Sequence, residues 1–82
     1  MITSLKLIDE KTHYKVVCSS TLAGLDQWAT LGYIYPVDGA WVMCNLKGVP
    51  TLMAMDTIQL ARRLEHRYKV YPVFPDGLTD FK

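Results

Sequence analysis

Four side chains in this sequence are of the types that ligate soft metal ions or carry thiol chemistry: His13, Cys18, Cys44 and His66. Their successive spacings are 5, 26 and 22 residues. Structural zinc sites draw ligands in close pairs such as C-x-x-C, because a short loop must hold two donors against one ion. No such pair exists, so no metal site and no cofactor are expected. A reactive cysteine needs a base beside it and surroundings that stabilise the thiolate. His13 precedes Cys18 by five residues on what reads as one strand. An odd offset sends two strand side chains to opposite faces. Both cysteines lie in apolar runs and read as buried, reduced thiols. Neither a G-x-S-x-G elbow nor an S-x-x-K pair is present, so nucleophilic serine chemistry has no support.

Paired carboxylates are equally thin. Of the eight acids, Asp9, Glu10 and Asp38 fall in turn-like segments, Asp56 at a helix start, and Asp76 and Asp80 in the last residues. Only Asp26 and Glu65 lie inside elements, and nothing places them together. The five glycines are scattered beside turn or helix signals, which leaves no phosphate-cradling loop. No catalytic residue is expected, and the chain reads as non-enzymatic.

Two constellations remain, and both suit binding. Arg62, Arg63, His66 and Arg67, with Lys69 after them, put a cluster of cations within two turns of a predicted helix, and every arginine of the chain is among them. The planar guanidinium suits carboxylates, phosphates and guanine edges. A solvated helix face near its C-terminus would have the same composition, because cations complement the dipole there. The second constellation is Tyr33, Tyr35 and Trp41. Tyr and Trp anchor protein interfaces, and they also serve as ordinary cross-strand pairs.

The elements that must position these groups follow closely on one another. Residues 3–8 and 13–18 alternate apolar and polar and read as a hairpin, with Asp9 to Thr12 as its turn. Residues 21–31 read as a short helix: Ser20 or Thr21 caps it, Leu22, Leu25, Trp28, Ala29 and Leu31 recur at helical spacing, and Gly32 stands at the C′ position. Gly24 weakens that helix. Asp38-Gly39 between apolar runs 33–37 and 40–46 is a type I′ turn signal, and Pro36 marks its strand as an edge or an irregular one. Lys47-Gly48 turns into an extended run, Val49–Met55. Residues 56–68 form the second helix, with Asp56 as N-cap, Gln59 completing a capping box, and Met55 and Leu60 as a hydrophobic staple. Leu60, Ala61, Leu64 and Tyr68 share one face. Val70–Phe74 is a last strand, interrupted by Pro72.

The expected fold is therefore α+β: a small, mostly antiparallel sheet of about five strands with two helices, in the order ββ-α-βββ-α-β. Residues 1–75 are expected to form one compact domain and 76–82 a flexible tail. An 82-residue chain buries only about 60–65% of its unfolded surface. Yet half of this one is apolar, so part of that surface is expected to stay exposed. From Val16 to Met55 the only charged residues are Asp26, Asp38 and Lys47, which makes this stretch core, or core plus a partner surface. A net charge of +1 argues against a general polyanion binder. The N-terminus has no signal-peptide build, since Asp9 and Glu10 follow too soon. The longest uncharged run, Gln27 to Val37, is far short of the ~20 residues that span a bilayer. A cytoplasmic location without membrane contact is expected.

These readings favour a small protein-binding module, an inhibitor or adaptor of a larger partner, with homodimerisation as one route. Tyr33, Tyr35, Trp41, Arg62, Arg63, His66 and Arg67 would make the contacts. The alternative is a domain that meets nucleic acid through the arginine face. In size and solitary build the chain is similar to the small phage-encoded inhibitors of bacterial defence, such as anti-CRISPR proteins; no residue motif carries that likeness, and no site follows from it.

Overall fold

The computed structural model describes residues 2–75; the expected tail, 76–82, lies outside the described residues. Strands β1 (Ile2–Asp9), β2 (Tyr14–Leu22), β3 (Leu25–Val37), β4 (Ala40–Asn45) and β5 (Pro50–Ala54) are followed by helix α1 (Thr57–Tyr68) and a short β6 (Pro72–Val73). All six strands form one sheet in the order β5-β4-β3-β2-β1-β6. The first five make an antiparallel meander. β6 pairs in parallel with β1, through Leu5–Pro72 and Lys6–Val73. By this alternation β5 and β6 run the same way at opposite edges, so α1 carries the chain back across one whole face of the sheet.

That face is the core. Leu5, Leu7, Val16, Cys18, Ile34, Met43 and Ala54 point into it from five strands, and Leu60 and Leu64 close it from the helix. Removing the Leu60 or Leu64 side chain from water is worth about 1.5–3 kcal/mol each. The helix begins as the sequence predicts. Asp56 is extended and accepts from the Gln59 amide at 2.7 Å. The other half of the capping box is shifted by one residue: the Gln59 side chain accepts from the amide of Met55 at 2.8 Å. Met55 is 60% exposed while Leu60 is fully buried, so no staple buries Met55. Lys69 ends the helix in a left-handed conformation and donates its amide to Glu65.

The sequence-based architecture is corrected on one point. Among the described residues there are six strands and one helix, because residues 21–31 are not helical. They form the end of β2, a two-residue turn and the first half of β3. Ala23 and Gly24 both have positive φ, 53° and 78°, which is what a type I′ connection requires, and Leu22 pairs with Leu25 across it. Leu25 and Trp28 stay 65% and 55% exposed, so the apolar stripe that suggested a helix buries little. A helix this short with a glycine inside it cannot offset its nucleation cost without such burial. Ser20 and Thr21 accordingly lie within β2 and cap no helix. Gly32 is no helix terminus either. It sits in mid-β3, where an added Cβ would collide with the Cys44 carbonyl oxygen of β4.

Candidate partner-binding surfaces

The arginine face is positioned by what it is not. Leu60, Ala61 and Leu64 are buried against the sheet, and the 3.6-residue period then turns Arg62, Arg63, His66 and Arg67 away from the core. They do not face open solvent uniformly. Together with Thr51, Leu52 and Met53 of β5 and Ile58 of the first helical turn, they line an open groove of about 730 Å³. Among the described lining residues the only acid is Asp56, and its carboxylate is occupied with the helix cap. The floor is apolar and the helical wall cationic. Arg67 also lies over the Tyr68 ring, 5.9 Å from its centroid. All four predicted basic residues thus meet in one place. Lys69, spent on the helix end, is not on the lining.

Sequence reasoning missed the β5 side of this groove. Thr51, Met53 and Ile58 look like core candidates in an apolar run, yet Met53 and Ile58 are 57% and 65% exposed. The available signal was position. Ile58 falls off the Leu60–Leu64 stripe, and Met53 is out of phase with the buried Ala54.

The aromatic trio is divided. Tyr33 and Tyr35 stand on the sheet face away from the helix, with ring centroids 6.4 Å apart. His13 from the β1–β2 turn completes the group: it stacks on Tyr35 at 5.1 Å and meets Tyr33 edge-on at 5.6 Å. Trp41 lies on the other face, packed against the core, with its ring 5.8 Å from Tyr14. The register explains the split: Trp41 pairs with Pro36, whereas Tyr35 pairs with Val42. Burial, and secondarily the Asp9 carboxylate, push the Tyr14 hydroxyl above its ordinary value. A different tryptophan, Trp28, reaches the open face near the β2–β3 tip, under the Lys6 ammonium at 4.9 Å.

The two surfaces are continuous. Tyr35, Val42 and Met53 are consecutive cross-strand partners on β3, β4 and β5. They form an apolar row on the open face that ends at β5, where the groove begins. β5 is an edge strand, paired only with β4 among the described residues.

The groups considered for chemistry are kept apart. His13 is on the open face with Tyr35, and Cys18 is 6% exposed in the core. Among the described residues no three of His, Cys, Asp and Glu gather as metal ligands. Ser19 is 4% exposed, but its hydroxyl is taken up by Ser4 at 2.6 Å and Thr3 at 3.1 Å. No described helix is long and apolar enough to cross a membrane. The chain matches no family model, no curated protein and no solved structure.

Proposed function

We propose that this chain is a non-enzymatic protein-binding module that acts on a larger partner as an inhibitor or adaptor, with the β5–α1 groove as its reading surface. One observation carries the proposal: every arginine of the chain lines a single groove with an apolar floor, beside a strand edge that has no further partner among the described residues. Arginine beside exposed apolar side chains is the composition that anchors protein interfaces. The large apolar side chains left exposed, from Leu25 and Trp28 to Met53, Ile58 and Tyr71, are the excess that a chain of this length cannot bury alone.

A photo-crosslinking residue at Ile58 tests this in lysate of the source cells, with the same residue at Tyr71 as control. A protease-sensitive adduct from position 58, lost when Arg62, Arg63 and Arg67 are all changed to Glu, is the expected outcome. The second reading, contact with nucleic acid, draws on the same arginines and on the His13–Tyr35 stack with Tyr33 beside it, since exposed aromatic rings serve as base platforms. It predicts instead a nuclease-sensitive adduct that disappears steeply with added salt.

A further inference from the structure

Resting on the protein-binding reading, we infer what the groove takes: an extended acidic peptide that joins the sheet as a further strand along the edge of β5 left open among the described residues, its side chains alternating between acidic and apolar.

The argument starts from the backbone. An edge strand presents amides and carbonyls to solvent at alternate residues, a ready template for another strand. Pro50 gives no donor at the start of β5, and the Met55 amide is taken by Gln59. Among the described residues the open template is therefore Thr51 to Ala54. A covering helix or loop would block it, and α1 does not cover it. The helix stands beside the edge, leaving the groove between them open. A strand beside a helix with room for one more chain is the arrangement by which domains bind extended peptides, through main-chain bonds for affinity and alternate side chains for specificity.

The alternation follows from the two sides of that added strand. Successive side chains on a strand point to opposite faces. On the open face, the residue opposite Met53 would extend the Tyr35–Val42–Met53 row and so favours an apolar side chain. Its neighbours would turn toward the helical wall of Arg62, Arg63, His66 and Arg67, where among the described lining residues the only acid is the occupied Asp56. Those positions favour Asp or Glu, whose carboxylates pair with guanidinium groups in bidentate fashion. A helix in the groove would satisfy the charges but leave the β5 backbone unused. A single-stranded nucleic acid would do the same.

The test is selection of a random dodecapeptide display library on the full chain, followed by synthesis of the leading sequences. Enrichment of peptides alternating acidic and apolar residues is expected, with amide shifts on binding centred on residues 51–54. N-methylation of every second peptide amide should weaken binding at least tenfold in one register and leave it unchanged in the other. The triple arginine-to-glutamate variant, whose substitutions are all exposed, should bind at least tenfold more weakly while its circular dichroism stays native. If peptides bind the groove but both methylation registers behave alike, the added strand is wrong while the protein-binding reading stands. Selected peptides without acids would overturn the charge assignment and leave that reading intact. If no peptide is enriched, or a twelve-nucleotide single strand displaces every selected peptide, both proposals fall.

Discussion

The two hairpins that share β3 are built with the same device and treated differently by the rest of the molecule. Asp38-Gly39 and Ala23-Gly24 are both two-residue turns with positive φ at both positions. The β3–β4 hairpin lies within the sheet, with β2 and β5 on its flanks, and carries Ile34 and Met43 into the core. The β2–β3 hairpin runs on past the end of β4. Leu25 to Thr30 pair only with β2, and the longest dimension of the molecule is 42 Å against 28 and 24 Å for the others. The difference teaches that turn geometry fixes local pairing, whereas the contribution to stability depends on what the flanking strands bury.

Five substitutions would break or sharpen that comparison. The largest effect belongs to the junction of the two halves of β3. Gly32→Ala forces a methyl group onto the Cys44 carbonyl, a backbone atom that cannot swing aside, and should cost about 3 kcal/mol in urea unfolding. Next come the turn glycines, each with open space around an added Cβ and each at positive φ, 79° and 78°. Gly39→Ala should cost about 1–2 kcal/mol of global stability through left-handed strain. Gly24→Ala carries the same strain, but the tip can open locally to relieve it. It should shift the global midpoint by less than about 0.5 kcal/mol while speeding amide exchange from residues 20–28. Equal midpoints for the two variants would sink the comparison. Trp28→Ala, which removes an exposed ring and its Lys6 contact, should stay within about 0.5 kcal/mol of the parent. The smallest effect is confined to alkaline pH. Tyr14 titrates higher folded than unfolded, so its contribution is whole below about pH 10 and is lost as pH rises through the folded value. Tyr14→Phe should flatten that decline, and a pH series of thermal midpoints would reveal an unchanged slope if the assignment is wrong.

The legible parts of the fold were those where one local signal had one meaning. Asp38-Gly39 could only be a hairpin turn, and Asp56 with Gln59 before an amphipathic run could only open a helix. Ala23-Gly24 was opaque because alanine seldom adopts positive φ, so the pair did not announce a turn. The strand after it carried a second disguise. Val16 pairs with Gly32 and Val17 with Thr30, which leaves Leu31 as an extra residue. That bulge shifts the phase of the alternation, and Trp28, Ala29 and Leu31 fall at spacings a helix would show. The site was half visible for a similar reason. Helical periodicity placed Arg62, Arg63, His66 and Arg67 on one side, but which strand edge they would flank is a property of sheet order. Trp41 lies on the strand paired with that of Tyr33 and Tyr35, but the register, which the sequence does not state, sends it to the opposite face.

The route of the chain through the sheet has a kinetic consequence. In the meander each strand pairs with the one made just before it, so five strands can zip from nearest-neighbour contacts with short loops to close. β6 alone must reach back across the full width to β1, and it offers only two residues when it arrives. The parallel edge is therefore the last to be sealed during synthesis and the first to part under strain. Until α1 docks and draws β6 into place, β1 remains an unguarded edge, where a second nascent chain could pair in its stead.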